Sequence, residues 1–153
     1  MNETIKITGK VFITLHNTVT NKSTYYYYDN LITTVGKTMI ARRLRNAGTY
    51  SNEGVITYGA VGTNATAPAL ADVKLGTELA RKVLASSSNV NGVLTVRVYY
   101  TTAEAIGALR EFGLFGEAAT AVADTGTLFN HVNINVTKTA TDTLTIQAVI
   151  TIA

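Results

Sequence analysis

Apolar and polar residues alternate over several stretches of this chain, and this alternation predicts β-strands. Between residues 5 and 15 the apolar positions are nearly all odd-numbered, which is the period of two expected when one face of a strand is buried. Residues 92–102, 127–138 and 142–152 repeat the pattern, and residues 105–116 form another apolar stretch, interrupted by glycines. Strands that recur at roughly ten-residue spacing are typical of an antiparallel sandwich or barrel.

Four consecutive tyrosines, Tyr25, Tyr26, Tyr27 and Tyr28, predict a second strand near the N-terminus. Strands favour aromatic residues, and the pleat places two of these rings on each face. Residues 16–24 are interpreted as the connecting turn. We therefore expect residues 1–28 to form an N-terminal hairpin that is free to extend to neighbouring molecules.

Two segments have apolar residues at helical spacing. Residues 30–48 are predicted to form a helix that ends at Gly48. Its apolar stripe consists of Ile32, Val35, Met39, Ile40 and Leu44. Residues 71–84 are the second predicted helix, with Asp72 at the N-cap. The apolar positions of that segment are Leu75, Leu79 and Val83.

The remaining segments complete a mainly β prediction. Residues 54–62 contain a short apolar strand, followed by a loop with the only proline, Pro68. Residues 86–92 are predicted to be a turn. Taken together, the patterns favour an antiparallel β-barrel or sandwich with one or two short helices. With 153 residues, the chain is expected to form a single domain over residues 1–153.

Composition narrows the possible functions. Charged residues make up 15% of the chain, against roughly 25% in an average domain, and threonine and asparagine are abundant instead. The net charge is only +3. Such a surface repels itself weakly, which indicates extensive contact with other proteins. There is no cysteine, which excludes disulfides, thiolate zinc sites and a cysteine nucleophile.

The N-terminus has neither the basic region nor the continuous apolar region of a signal peptide. No apolar run approaches the roughly 20 residues that a membrane-spanning helix needs. We therefore expect a soluble protein that is made in the cytoplasm without a Sec-type signal and makes no membrane contact.

Two glycine-containing segments resemble phosphate-binding motifs only superficially. Residues 36–38 read Gly-Lys-Thr, the end of a phosphate-binding loop, but position 31 is Leu31 where that loop needs a glycine. The segment also lies inside a predicted helix. Residues 59–66 lack the third glycine of a dinucleotide fingerprint. We interpret them as a bend where the backbone passes close to a neighbour.

The titratable residues do not form a recognisable catalytic or metal-binding pattern. His16 and His131 lie far apart, with no further ligand at metal-binding spacing, and His131 is interpreted as a surface or interface residue. Glu104 and Glu111 are the closest plausible carboxylate pair, but nothing in the sequence indicates that they converge. The sequence therefore predicts no catalytic residue, cofactor or metal, and no enzyme activity.

Two groups of residues are candidates for binding a partner. Arg42, Arg43 and Arg45 form the only basic cluster, which is too short for a typical nucleic-acid surface, so we expect no nucleic acid. The tyrosine run, Tyr25 to Tyr28, could stack on sugar rings. An interface or a half-buried sheet is the favoured interpretation, because tyrosine combines apolar area with a polar tip.

Several short motifs in the second half resemble a pattern in the virion structural proteins of tailed bacteriophages. They are Val61-Gly62-Thr63; Leu75, Glu78 and Arg81; Glu111, Gly113, Leu114 and Phe115; Gly126, Leu128, Phe129 and His131; and Thr137-Lys138. The resemblance covers about two-thirds of the chain, and its usual arginine is replaced by His131. It implies that residues 111–116 are a strand whose Phe112 or Phe115, with Leu114, fills the core. Glu111 would then pair with Arg81 or another internal cation, since an unpaired buried carboxylate is costly.

The resemblance implies a non-enzymatic component of a phage particle. The expected function is that of a capsid decoration protein, a trimer that binds the major capsid protein on the outer capsid surface. It would contact several capsid subunits and stabilise the shell. The alternatives are a tail, collar or baseplate component that binds tail proteins, and a carbohydrate-binding module that uses the tyrosine run.

Overall fold

The computed structural model describes residues 2–45 and 52–153 and confirms a mainly β fold with one helix in that part of the chain. The elements in chain order are β1 (Ile7–Asn17), β2 (Lys22–Ile32), α1 (Thr34–Leu44), β3 (Ile56–Gly62), β4 (Glu78–Val83), β5 (Ser86–Val90), β6 (Val93–Tyr100), β7 (Gly107–Gly116), β8 (Thr127–Lys138) and β9 (Asp142–Ile152). The strands form one antiparallel sheet in the order β4-β3-β7-β8-β2-β1-β9-β6-β5. The sheet curls into a half-barrel.

The two halves of the sheet are joined at two places. Most of β2 pairs with β1, but its last residues, Leu31 and Ile32, pair with β8. At the other side the chain passes directly from β4 to β5. There the amide of Leu84 donates to the Thr57 carbonyl in β3 (3.0 Å), and the amide of Ala85 donates to the Arg97 carbonyl in β6 (2.7 Å). The two edge strands are thus consecutive in sequence and joined at one end.

The concave face of the sheet forms the main core. Alternate residues of β1, β6, β8 and β9 point inward and are buried, as the period-two pattern predicts. They include Val11, Ile13, Val96, Val98, Ile134, Val136, Ile146 and Ala148. Tyr100 is also completely buried, and its hydroxyl donates to the Gly59 carbonyl at 2.9 Å, which links β6 to β3 across the interior.

Helix α1 packs directly on the backbone of β8. Thr33 is its N-cap: the Thr33 hydroxyl accepts from the Gly36 amide at 2.9 Å and donates to the Leu128 carbonyl at 2.7 Å. A Cβ on Gly36 would lie 2.1 Å from the Phe129 carbonyl oxygen, so only glycine allows this approach. The helix is shorter than predicted: residues 30–32 belong to β2, and Gly48 lies outside the described residues.

The prediction of a second helix over residues 71–84 is wrong. Residues 78–83 form β4, which pairs with β3, and the segment before it is a loop. Leu79 and Val83 remain exposed, so the helical spacing of their side chains reflects no common buried face. The Asp72 side chain does not cap a helix: it accepts from the Ala69 amide at 2.7 Å. Ladder pairing with β3 overrides the local pattern.

The predicted turn over residues 86–92 is also mostly a strand. Residues 86–90 form β5, and only Asn91 and Gly92, both with positive φ, make the turn to β6. All five residues of β5 are exposed, so burial imposes no alternation on its sequence. The predicted turn over residues 16–24 is likewise shorter than expected, since β1 continues to Asn17 and β2 begins at Lys22.

Within residues 2–45 and 52–153, the convex face of the half-barrel is covered on one side only. Over β3, β7 and β8, residues 63–77 and 117–126 fold back onto the sheet. Beneath them lies a second apolar cluster of Ala60, Leu75, Phe115 and Leu128, all at most 1% exposed. Strand β7 is therefore buried on both faces. The expectation that Phe112 or Phe115, with Leu114, fills the core is confirmed: Phe112 and Leu114 lie in the main core, and Phe115 lies in the second cluster.

Candidate functional site

The convex face of β2, β1, β9 and β6 is the principal candidate site, because it carries exposed aromatic rings. Four aromatic residues there expose large fractions of their side chains: Phe12 (41%), Tyr25 (75%), Tyr27 (49%) and Tyr99 (42%). We call this surface the aromatic face. It stands opposite the main core on the same strands, since neighbours along a strand point to opposite faces.

Strand register sets the spacing of the rings. Tyr25 pairs with Thr14, Thr14 pairs with Thr145, and Thr145 pairs with Tyr99, so the two tyrosines end one row across four strands. The next row contains Tyr27, Phe12, Gln147 and Arg97. Arg97 donates from Nε to the Gln147 side-chain oxygen at 2.8 Å. The surface therefore combines apolar rings with hydroxyl and amide groups and few charges.

The centre of the aromatic face is held by contacts around Tyr27. The rings of Phe12 and Tyr27 lie 5.2 Å apart with an interplanar angle of 53°. The Lys10 amino group lies 5.5 Å from the centre of the Tyr27 ring, and the Tyr27 hydroxyl donates to Asp29 at 2.9 Å. Hydrogen bonding to Tyr27 is the largest cause of a raised pKa at Lys10, with a smaller contribution from the Asp29 charge.

The tyrosine run divides between the two faces as the sequence predicted. Tyr25 and Tyr27 are on the aromatic face, whereas Tyr26 and Tyr28 pack against the main core. The Tyr28 hydroxyl accepts from the Asn135 amide of β8 at 3.0 Å. Only two of the four tyrosines in this run are therefore available to a partner through their ring faces.

Arg42, Arg43 and Arg45, the basic cluster predicted to bind a partner, lie at the end of α1. Their contacts do not involve the tyrosine run. Arg42 bonds Glu117 at 2.7 Å, and Arg45 bonds Glu53 at 3.1 Å. Arg43 packs its Cβ against Gly54. Burial acts to raise the pKa of Glu117, but hydrogen bonds from Thr127 and Arg42 outweigh it and lower the pKa. Arg42 and Arg45 thus join the helix to acidic side chains of the same chain.

A buried charged cluster lies on the covered side of the convex face. Its centre is His131 on β8, which is 4% exposed, so the prediction that His131 is a surface or interface residue is wrong. Its Nε2 lies 3.0 Å from Oε2 of Glu111, and its Nδ1 lies 2.7 Å from Oδ2 of Asp72. His131 therefore bridges two carboxylates, one at each ring nitrogen.

Glu111 is also bound by backbone amides. Its carboxylate accepts from the amides of Thr77 (2.8 Å), Gly76 (2.8 Å) and Asn64 (3.3 Å). A Cβ on Gly62 would lie 2.3 Å from Glu111 Oε1, so glycine leaves the room that this carboxylate needs. The bend predicted over residues 59–66 is wrong for residues 59–62, which belong to β3, but Gly62 does approach Glu111 and the backbone of Thr77 closely.

Arg81 pairs with Glu78 and not with Glu111, which corrects the first partner expected for Glu111. Arg81 donates from Nε and Nη2 to the two Glu78 oxygens, at 2.5 and 2.8 Å, and both side chains are 3% exposed. A bulge in β4, at Leu79, lets residues 78 and 81 share a face. Arg81 also donates to the Thr120 and Thr125 carbonyls, both at 3.0 Å, and so fixes residues 117–126.

Glu104 and Glu111 have separate partners, so they form no catalytic carboxylate pair. Glu104 bonds Lys82 and accepts from the Thr101 amide at 2.8 Å. The hydrogen bond from Lys82 is the main reason that the pKa of Glu104 falls to about 2. Among residues 2–45 and 52–153, no three histidine or acidic side chains are arranged to hold a metal ion. In the same ranges no helix has the length and apolar character to cross a membrane.

The Gly-Lys-Thr segment is part of α1. Gly36 contacts the backbone of β8, and its amide is bound by the Thr33 hydroxyl. The sequence did not reveal the Asp72–His131–Glu111 cluster, because its members are separated by 20 and 59 residues and meet only after residues 63–77 fold over the sheet. The short motifs of the resemblance were the one signal, since they include Glu111 and His131.

Comparison with known protein families, with curated proteins and with solved structures found no match for this chain.

Proposed function

We propose that this chain is a non-enzymatic structural protein of a bacteriophage particle, and that it acts as a capsid decoration protein. The observation that carries the proposal is the aromatic face, where Phe12, Tyr25, Tyr27 and Tyr99 are exposed on a sheet with few charges. Rings of this type are favoured at the centres of protein interfaces. The sequence resemblance to virion structural proteins is the reason for proposing a phage particle.

The contrast between the two halves of the convex face supports a binding role for the aromatic face. Over β7 the chain covers its own apolar residues with residues 63–77 and 117–126, and buried ion pairs hold these segments in place. The aromatic face carries rings of similar size without such a cover. A partner protein that covered it would bury apolar area worth roughly 25 cal/mol per Å² before the costs of association.

On this proposal the partner is the major capsid protein, and a trimer of the chain binds across several capsid subunits on the outer surface. Contacts spread over several subunits raise the effective concentration of each further contact. Because the decoration protein binds the assembled shell and not its dissociated subunits, it stabilises the shell by mass action. The host cytoplasm would be the place of synthesis and assembly.

The test uses the phage whose genome encodes the chain. Purified particles are analysed by quantitative mass spectrometry, and hundreds of copies per particle are expected for a decoration protein. A few copies to a dozen would replace the proposal with a tail, collar or baseplate component. Purified particles that lack the chain altogether would refute the proposal.

A binding experiment then tests the aromatic face itself. Capsids that lack the chain are mixed with purified protein, and the double variant Phe12→Thr, Tyr27→Thr is expected to bind about ten-fold more weakly or worse, as for loss of central aromatic contacts. Val122→Thr is the matched control, because Val122 is 67% exposed on the covered side and should bind like the parent. Equal capsid binding by the double variant would overturn the assignment of this face.

A glycan array tests the carbohydrate alternative. The 53° angle between the Phe12 and Tyr27 rings disfavours flat stacking of both rings on one sugar.

A further inference from the structure

The N-terminal residues 2–6 form an exposed arm that continues the strand pattern of β1, and only its last residue, Lys6, has a backbone partner. Every residue of the arm is exposed, and Ile5 is 73% exposed. Lys6 exchanges backbone hydrogen bonds with Ala153. In the described part of the chain, residues 2–5 form no backbone hydrogen bond of the kind that Lys6 forms outside the strand ladders. Ile5 is the one apolar residue of the arm, and with the strand alternation it shares a side with Glu3, opposite Thr4 and Lys6.

Strand β5 is the natural template for such an arm. It lies at one edge of the sheet and pairs only with β6 among the described strands. Its sequence, Ser-Ser-Ser-Asn-Val, contains none of the charges or prolines with which edge strands usually avoid pairing with other chains.

An apolar cavity beside β5 provides a place for the side chain of Ile5. The cavity has a volume of about 230 Å³, and Ser87 of β5 lies on its wall. Most of the other lining residues are aliphatic or aromatic, among them Met39, Ile40, Leu94, Phe129, Ile150 and Ile152. A dry cavity of about 150 Å³ can hold a benzene ring, so this one has room for an isoleucine side chain.

We propose that the arm of a second copy adds to the β5 edge as a tenth strand and inserts Ile5 into this cavity. Adjacent strands present side chains on the same face, so a residue beside Ser87 points into the cavity as Ser87 does. The main-chain bonds of the added strand supply affinity, and the cavity supplies selectivity for an aliphatic residue. Because arm and edge are different surfaces, the contact is head to tail, which closes into a ring when the rotation between copies allows it.

The inference does not rest on the proposed function, because it concerns contact between copies and uses none of the aromatic face. It is tested on the purified chain by analytical ultracentrifugation over the micromolar range. The parent is expected to associate reversibly. Ile5→Asp and Ser87→Glu should each weaken association by about ten-fold or more, which is about 1.4 kcal/mol. Circular dichroism should show an unchanged fold, because both positions are exposed.

The matched control is Val19→Asp. Val19 is 76% exposed in the β1–β2 turn, so the change resembles Ile5→Asp in size and exposure but lies outside the arm. Its association constant should equal that of the parent.

Mixing the two defective variants distinguishes exchange between copies from docking of each arm on its own chain. The Ile5→Asp protein retains an intact edge, and the Ser87→Glu protein retains an intact arm, so the mixture should form one-to-one dimers that neither forms alone. A monomeric parent, an Ile5→Asp protein that associates like the parent, or a mixture that remains monomeric would each overturn the proposal.

Discussion

His131 and Glu111 form a buried hydrogen-bonded pair, with Nε2 of the imidazole 3.0 Å from Oε2 of the carboxylate. Glu111 is 1% exposed and receives three backbone amides as well, so its negative charge organises the turn from Gly76 to Thr77. The Glu111 carboxylate thus acts as an internal acceptor around which residues 63–77 fold. This arrangement leads to the first prediction.

Glu111→Gln should lower the free energy of unfolding by about 2–4 kcal/mol, because it leaves a buried imidazole and several amides without their charged acceptor. Urea denaturation followed by circular dichroism measures the change. Glu3→Gln makes the same chemical change at an exposed position and should have little effect. A Glu111→Gln protein as stable as the parent would show that the carboxylate charge contributes nothing to the fold.

Acid should destabilise the fold through carboxylates whose pKa is lowered. Burial acts to raise the pKa of Asp72, but the Ala69 amide and His131 outweigh it, and at Asp142 the Thr139 amide and hydroxyl do the same. The pKa of Glu117 is likewise lowered, because hydrogen bonds from Thr127 and Arg42 outweigh the effect of burial. A group whose pKa is lower in the folded state stabilises above its unfolded pKa of about 4, and this contribution is lost as the pH falls. Stability should therefore decrease from about pH 5 downward.

The Glu117→Gln variant isolates one part of this acid sensitivity. Its free energy of unfolding should fall less steeply below about pH 5 than that of the parent, because one group with a lowered pKa has been removed. Urea titrations at several pH values measure the slope. If parent and variant lose stability in parallel, Glu117 does not contribute.

Tyr100 should make the fold sensitive to alkali. Burial raises its pKa, and the charges of Glu78 and Glu104 act in the same direction. A raised pKa stabilises the fold fully below the unfolded value of about 10, and this contribution is lost as the pH rises above that value. Tyr100→Phe should cost about 1 kcal/mol near neutral pH, from loss of the bond to Gly59, and should reduce the alkaline loss.

Tyr99→Phe is the matched control for that measurement. The neighbouring ring is 42% exposed on the aromatic face, so its hydroxyl should affect neither neutral stability nor the alkaline loss. Denaturation at neutral pH and above pH 10 compares the three proteins. An alkaline loss that is the same in the parent and in Tyr100→Phe would contradict the assignment.

Gly36→Ala should destabilise the protein although it raises helix propensity. Alanine at an exposed helix position is favoured over glycine by about 1 kcal/mol. Here the new Cβ would lie 2.1 Å from the Phe129 carbonyl oxygen, so α1 would have to move off β8 at a cost of about 1–3 kcal/mol. Lys37→Ala, at the next and exposed position, should change stability by less than about 0.5 kcal/mol. A higher thermal midpoint for Gly36→Ala would contradict the close contact.

The sequence alone determined the strands that have one buried face. In β1 and β9 the alternation of apolar and polar residues states which side faces the core, because a strand has a period of two and burial acts on alternate residues. The same rule correctly divided the four tyrosines of β2 between the two faces. Residues 111–116 were expected to supply the core, and Phe112, Leu114 and Phe115 do so.

Tertiary structure decided the elements and sites that form only through contacts with residues far away in the sequence. Strand β5 is exposed throughout, so no burial pattern marks it, and β4 became a strand because β3 offers it a ladder. The meeting of Asp72, Glu111 and His131 depends on folding residues 63–77 across the convex face. Local periodicity records only burial along one segment, whereas these features arise from hydrogen bonds and charges between segments far apart in the chain.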